Sequence, residues 1–244
     1  MECHNIGDVM YLLSNITHQI INPLNGVIGT LDNIIDGTVT RDKAPQKLRS
    51  ARGQLECTVS LIRNLAFFAQ YSSEYGKKVS SKMDKTCIIP QVIIEAAQFF
   101  QEQGHLDNIR IELENRQVQN AIKGNPDLLR QVFMNIFDNG IKYSYPNTII
   151  EAKNWIQKKT GHLIIQISSN SVPFQSKEDI FGLGIRGKGA EERTSSGSGL
   201  GLHICKLIIE NVFGGSISAE YHTESNTAVF EIRIPDAFLQ ERLA

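Results

Sequence analysis

Three glycine residues stand at every second position at the start of a helical pattern: Gly197, Gly199 and Gly201. Glycine has no Cβ atom, so its backbone can approach a ligand closely, and a helix start offers free N–H groups to a phosphate. The glycine-rich run at 182–189 carries Arg186, whose guanidinium could bind phosphate oxygens. A plain flexible loop has the same composition, so the glycines alone leave both interpretations open.

Two amides and a lysine share one face of a strong helical pattern that opens with Asn125 as the N-cap and Pro126 as the first helical residue. Asn135, Asn139 and Lys142 are spaced i, i+4 and i+7, which places them on one stripe. Amide oxygens are hard ligands that suit Mg²⁺, and the lysine could contact a phosphate. A polar helix face in contact with water explains the same stripe.

A histidine in the N-terminal helical pattern, His18, follows the apolar seam position Thr17 by one residue and should therefore face solvent. Pro23 lacks an N–H, and its ring clashes with the carbonyl of Gln19, so we expect the helix to bend directly after His18. A proline inside a helix costs about 3 kcal/mol, and tolerance of that cost beside an exposed histidine suggests a function. An ordinary surface histidine beside a tolerated kink is the alternative.

The elements that would position these side chains begin with two long amphipathic helices. The first has a heptad seam in alternating steps of four and three, apolar except at Thr17: Ile6, Met10, Leu13, Thr17, Ile20, Leu24, Val27, Leu31 and Ile34. After a stop at Gly37 the second repeats the alternation, interrupted by Arg52: Leu48, Leu55, Val59, Ile62, Ala66 and Ala69. Two such helices form a hairpin and two hairpins form a four-helix bundle, so we predict a homodimer.

The C-terminal half mixes strands and helices without a βαβ rhythm, which favours an α+β sandwich. A hydrophilic segment at 72–85 indicates a hinge between the halves. We predict helices at 90–103, from 126, and at 200–212, and strands at 109–113, 148–156, 162–168, 216–221 and 228–234.

The composition limits the function classes. Lys and Arg number 25 against 26 Asp and Glu, a net charge of −1, which argues against a nucleic-acid binder or a polybasic membrane anchor. No apolar run approaches the roughly 20 residues that cross a bilayer, and the first residues lack a secretory signal. The four cysteines form no CxxC pair, so neither a zinc site nor a disulfide framework is predicted. We predict a cytoplasmic protein without a membrane span.

Three ordered segments resemble the motifs of the transmitter core of sensor histidine kinases. Residues 17–24 resemble the phosphoacceptor box, residues 135–144 the asparagine box, and residues 197–202, followed by 214–217, the last glycine box. The resemblance extends over nearly the whole chain.

The resemblance implies two domains and a linker. A dimerisation and phosphotransfer hairpin would occupy 1–76 and a linker 77–83. An ATP-binding, Bergerat-type α/β sandwich would occupy 84–244.

The resemblance also implies a reaction and its residues. ATP and Mg²⁺ would bind in the sandwich, His18 would attack the γ-phosphate, and the phosphoryl group would pass to an aspartate on a response regulator receiver domain. Gln19 would orient His18, and Asn22, one helical turn away, could orient a water at a phospho-aspartate. The implied nucleotide-binding residues are Asn135, Asn139, Lys142, Tyr143, Ser169, Asn170, Gly184, Arg186, Gly197, Gly199, Leu200, Gly201 and Leu202, with Asn139 and Asn135 also on the metal.

Two departures from the family pattern keep other functions open. The residue after the phosphoacceptor is usually acidic, whereas Gln19 can orient an imidazole but cannot take up its proton. The first glycine box usually holds an aspartate that binds the adenine amino group. By spacing Ser169 takes that place, and by chemistry Asn170 is the better acceptor. The alternatives are a non-catalytic module that binds a receiver domain and a regulator that acts mainly as its phosphatase.

Overall fold

A computed structural model describes residues 6–71, 85–174, 180–185 and 199–239. The N-terminal part is an antiparallel helical hairpin of α1 (Ile6–Ile35) and α2 (Ala44–Tyr71), as the two seams predict. Gly37 ends the first helix with a φ of +71°, a conformation that glycine adopts without steric cost. The predicted linker at 77–83 lies outside the described residues.

One copy of the hairpin buries only part of its apolar surface. Ile16 and Val27 of α1 are buried, whereas Thr17 is exposed, so the buried seam passes through Ile16 rather than the predicted Thr17. The predicted seam of α2 faces outward, with four large side chains each 42–49% exposed: Leu48, Leu55, Val59 and Ile62. An apolar stripe of this length is left for another helix to cover.

The C-terminal part is an α/β sandwich, which confirms the predicted mixture of helices and strands. Its elements are β1 (Thr86–Ile88), α3 (Ile89–Gln98), α4 (Gln101–Leu106), β2 (Arg110–Leu113), β3 (Asn120–Lys123), α5 (Pro126–Tyr143), β4 (Ile149–Ile156), β5 (Leu163–Asn170), α6 (Gly201–Leu207), β6 (Ser216–His222), β7 (Thr227–Ile234) and β8 (Phe238–Leu239). A π-helical turn, Ile208–Val212, continues α6.

The main sheet has the order β2-β4-β5-β7-β6, with β2 and β4 parallel and the remaining neighbours antiparallel. Alternate residues of the central strand β5 are buried on one face, ending with Ser169. Helices α3, α5 and α6 contribute to the same apolar core, in which Phe133 and Phe137 of α5 are fully buried. The helices therefore cover one face of the sheet, and the strand ends define the rim of the sandwich.

Two parts of the sandwich differ from the sequence prediction. The helix expected at 90–103 breaks into α3 and α4, because the chain turns at Phe99 and Phe100 and thereby buries the ring of Phe100. A second small sheet with the order β1-β3-β8 was not predicted. Its strands have three, four and two residues, too few to produce a recognisable alternation.

Candidate functional site

Helix α5 positions the predicted amide stripe. The side-chain oxygen of Asn125 accepts a hydrogen bond from the Asp127 N–H at 2.9 Å, so the predicted N-cap fixes where the helix begins. Ten residues further on, Asn135 is 4% exposed and uses both ends of its amide. Its Nδ2 donates to the carbonyl of Gly201 at 3.1 Å, and its Oδ1 accepts from Gln131 Nε2 at 3.2 Å. Asn135 thus joins α5 to the start of α6.

The next turn of α5 carries the other predicted polar residues. Asn139 is half-buried, and its side-chain amide has no hydrogen-bond partner among the described residues. Lys142 Nζ forms an ion pair with Asp138 Oδ2 at 2.5 Å, so the cation is held next to the stripe. Half-buried Tyr143 accepts a hydrogen bond at its carbonyl from the Val172 N–H at 3.0 Å, which ties the end of α5 to the segment after β5.

The two glycine segments meet backbone to backbone. The N–H of Gly184 donates to the carbonyl of Gly199 at 3.3 Å. Gly199 has a φ of +67°, and a Cβ atom there would lie 2.5 Å from the carbonyl carbon of Gly184. Both properties require glycine at this position. Arg186 and Gly197 lie outside the described residues.

The start of α6 lies against the amide stripe. Leu200 is completely buried and anchors the helix start in the core, and Leu202 is half-buried. A Cβ atom at Gly201 would lie 3.6 Å from Asn135 Cγ, an ordinary contact distance. The structure therefore places Gly201 against Asn135 of α5, and Gly184 against Gly199, two residues before Gly201, although these segments are far apart in sequence.

The pleat of β5 separates the two candidates for the adenine acceptor. Ser169 is 7% exposed and lies on the helix-covered face of the sheet, in register with Ile150 and Ala228. Asn170 is exposed, and its Nδ2 donates to the carbonyl of Ser225 at 2.9 Å. Of the two residues, only Ser169 therefore lies on the face of the sheet that the helices cover.

An aromatic cluster near Ser169 was not predicted. The ring of Phe174 lies 5.7 Å from that of Tyr221 and 6.4 Å from that of Phe230. Tyr221 pairs with Ala228, the residue that also pairs with Ser169, and its hydroxyl donates to the Ser171 carbonyl at 3.1 Å. The alternation of apolar and polar residues along β6 and β7 is the sequence signal that Tyr221 and Phe230 lie on the helix-covered face of the sheet.

The predicted phosphoacceptor residues lie on the hairpin. His18 and Asn22 are exposed on α1, and Gln19 between them is half-buried. Helix α1 contains Pro23 and continues to Ile35, and the bend expected directly after His18 stays a prediction. Exposure of His18 agrees with its predicted position beside the seam and leaves its imidazole accessible to a reacting group.

Comparison with known proteins places this geometry in a family. Residues 124–237 match the family described as histidine kinase-, DNA gyrase B-, and HSP90-like ATPase. Over 226 residues, 92% of this chain, the sequence is 27% identical to the sensor protein KdpD of Clostridium acetobutylicum. The chain is therefore similar to the transmitter cores of sensor histidine kinases, and residues 124–237 match the ATPase family model. The chain spans 24% of the length of KdpD.

Solved structures share the fold of this chain. The histidine kinase AdeS of Acinetobacter baumannii matches with a TM-score of 0.60 and 19% identity, over 89% of this chain and 97% of that chain. The histidine kinase ThkA, solved in complex with the response regulator protein TrrA, matches with a TM-score of 0.58 and 21% identity, over 92% and 61% of the two chains. Within the described ranges, no helix is long and apolar enough to span a membrane.

The two buried thiols of the described residues, Cys87 and Cys205, contribute to packing rather than to chemistry. Burial raises the pKa of Cys205 to about 12 and that of Cys87 to about 11. Cys205 Sγ lies 3.6 Å from the carbonyl of Val132, between α6 and α5. Because the thiolate is the nucleophilic form, neither group is set up to react near neutral pH.

Proposed function

We propose that this chain is a histidine protein kinase core that binds ATP and Mg²⁺, phosphorylates itself on His18 and passes the phosphoryl group to an aspartate of a response regulator. The observation that carries the proposal is the Asn135–Gly201 hydrogen bond, which joins the amide stripe to the last glycine segment, together with the Gly184–Gly199 hydrogen bond that joins the two glycine segments. The family match over 124–237 supports ATP as the nucleotide. The response regulator bound to ThkA supports a receiver domain as the partner.

Phosphate and metal binding follow from the groups at the stripe. Backbone N–H groups near Gly199 and Gly201 would bind phosphate oxygens, and Lys142 would exchange Asp138 for a phosphate. Asn139 would ligate Mg²⁺ through its unengaged amide oxygen. Asn135 retains one acceptor lone pair and would support the same ion. Neutral oxygen ligands fit Mg²⁺ when nucleotide phosphates supply the opposing charge.

The adenine base of ATP would be bound on the helix-covered face of the sheet, at Ser169 near the end of β5. Ser169 can accept a hydrogen bond from the adenine amino group, and the engagement of Asn170 with Ser225 argues against Asn170 as the acceptor. A neutral hydroxyl lacks the charge assistance of a carboxylate, which weakens the contact by about 1 kcal/mol. We therefore expect weaker ATP binding than in a chain with an aspartate at this position.

The phosphoryl transfer would begin on the hairpin. A neutral ring nitrogen of His18 attacks the γ-phosphorus, the bond to the bridging oxygen of ADP breaks, and a phosphoramidate forms. Gln19 would hold and orient the imidazole without taking its proton, which passes to water. Asn22, one turn away and exposed, would orient a water when the core removes the phosphoryl group from its partner.

The assembly would be a homodimer in the cytoplasm. The outward stripe of α2 is joined on α1 by four further exposed apolar residues: Ile21, Ile28, Leu31 and Ile35. Pairing the stripes of two copies would complete a four-helix bundle and remove this surface from water.

Incubation with γ-labelled ATP and Mg²⁺ tests the proposed reaction. We expect label that is lost in acid and stable in base, and that is absent from His18→Ala. His105→Ala, at an exposed histidine of α4, is the matched control and should retain the label. A wild-type chain that binds no ATP at millimolar concentration would instead favour the module that only binds a receiver domain, a role consistent with Gln19 and Ser169.

A further inference from the structure

A row of buried amides connects the hairpin to the start of α6. Asn64 of α2 is 5% exposed and Gln131 of α5 is 3% exposed. Gln131 Nε2 donates to Asn64 Oδ1 at 2.9 Å and to Asn135 Oδ1 at 3.2 Å. Asn135 Nδ2 then donates to the carbonyl of Gly201 at 3.1 Å. Three consecutive hydrogen bonds thus lead from α2 to the last glycine segment.

The direction of these bonds is fixed by the chemistry of the amides. Gln131 uses its two N–H groups for two different oxygens, and Asn135 must present its oxygen to Gln131 in order to present its NH₂ to Gly201. The amides are buried, so water cannot readily replace a lost partner, and a donor without an acceptor carries its full desolvation cost. Removal of the Asn64 oxygen therefore leaves one N–H of Gln131 without its acceptor. A shift of the Gln131 amide would then disturb Asn135 and its hydrogen bond to Gly201.

A second contact brings the hairpin to the same place. The ring of Phe68 lies 6.0 Å from that of His203 on α6, one turn further along α2 than Asn64. His203 Nδ1 is hydrogen-bonded to the carbonyl of Phe181 at 3.0 Å, so it connects α6 with the segment that leads to Gly184. The end of α2 therefore contacts the supports of both glycine segments.

We propose that Asn64 and Gln131 are positioning residues, which set the backbone at Gly201 for the nucleotide when the hairpin is docked on the sandwich. The proposal rests on the proposed function for its nucleotide. Its structural part, the control of Gly201 by a residue of the hairpin, is independent of any ligand. Since coupling between two events is reciprocal, nucleotide binding also stabilises the docked hairpin.

Four variants of the full chain separate this role from general loosening of the interface. Asn64→Leu has a similar volume and no acceptor, whereas Asn64→Asp retains an accepting oxygen. Gln131→Leu removes the donor that both neighbours share. Thr58→Ala is the matched control, because Thr58 is an equally buried polar residue of α2 whose hydroxyl donates to the Gln54 carbonyl within the same helix.

Amide hydrogen exchange without nucleotide tests the structural part. We expect Asn64→Leu and Gln131→Leu to speed exchange at 201–205 by about three- to tenfold, as for the loss of one net hydrogen bond. The double variant should add little to either single change. Thr58→Ala should match the wild type, and Asn64→Asp, which keeps the acceptor but buries a carboxylate, should speed exchange at 201–205 less than Asn64→Leu does. Unchanged exchange at 201–205 in Asn64→Leu, or equal acceleration in Thr58→Ala, would overturn the proposal whether or not ATP binds.

A fluorescent ATP analogue tests the link to the nucleotide. Asn64→Leu should raise its Kd by about three- to tenfold, and Asn64→Asp, which keeps an accepting oxygen, should raise it less than Asn64→Leu does. The analogue should slow exchange at 61–68 in the wild type and not in Gln131→Leu. Binding with no slowing at 61–68 would refute the coupling. Absence of binding to the wild type would refute the proposed function, while the nucleotide-free exchange still decides the role of Asn64.

Discussion

Substitution of Gly199 by alanine is the sharpest test of the backbone contact between the two glycine segments. The new Cβ atom would lie 2.5 Å from the carbonyl carbon of Gly184, at a residue whose φ is +67°. A side chain in the left-handed region costs about 1–2 kcal/mol. Contact with backbone, which cannot rotate away as a side chain can, adds about 1–3 kcal/mol.

The two costs together predict a loss of about 2–5 kcal/mol, which lowers the Tm by about 4–20 °C for a chain of this size. If the segment shifts to relieve the contact, its N–H groups move away from the phosphates. We therefore expect the Kd of ATP to rise by at least about tenfold, measured by calorimetry on the folded variant.

Gly201→Ala is the matched control, because its Cβ atom would meet Asn135 Cγ at 3.6 Å without strain. An alanine within α6 should leave the Tm unchanged or raise it slightly. Its effect on the Kd then reports how closely the phosphates approach this backbone. A wild-type Tm and Kd for Gly199→Ala, or an equal loss of Tm in Gly201→Ala, would contradict the reasoning.

Four further predictions concern the metal, the base, the dimer and the phosphoacceptor. Asn139→Ala should abolish autophosphorylation with an unchanged Tm, because the half-buried amide does not build the core; retained labelling would exclude it as a ligand. Ser169→Asp should lower the Kd of ATP while costing stability without nucleotide, since its carboxylate would be buried; an unchanged Kd would remove Ser169 from the base site. Leu55→Glu should leave the hairpin folded and produce a particle of about 27 kDa in light scattering, since a buried unpaired charge costs several kcal/mol; a persistent dimer would contradict the proposed face. Gln19→Glu should speed labelling of His18 by less than the 10²–10⁴-fold range typical of a general base, and slower labelling would show that the amide has another role.

Local signals predicted the elements whose causes lie within a few residues. Asn125 and Pro126 predict the start of α5, and Gly37 predicts the end of α1. Helix caps and left-handed turns depend on residues that are adjacent in sequence, so the sequence alone is enough to predict them. The register at Thr17 was wrong by one residue, since Ile16 is buried in an apolar cluster that continues from the hairpin into the sandwich. A contact between domains leaves no mark in the heptad pattern.

The motifs of the candidate site could be predicted from the sequence, whereas the hydrogen bonds that join these motifs could not. Asn135 and Gly201 stand out by residue type, but their hydrogen bond joins residues far apart in sequence. The choice between Ser169 and Asn170 needed the pleat of β5, because neighbouring residues at a strand end point to opposite faces. Asn64 carries no signal at all, since a polar residue on a long helix usually faces water.

The hydrogen bond between Gly184 and Gly199 closes a ring of chain at its base. The fourteen residues 185–198 lie in sequence between these two hydrogen-bonded glycines. The entropy cost of closing a loop grows slowly with its length, and doubling the length costs only about 0.6 kcal/mol. Additional residues between Gly184 and Gly199 should therefore cost the sandwich little stability, so that a fluorescent reporter could be inserted there, away from Arg186 and Gly197.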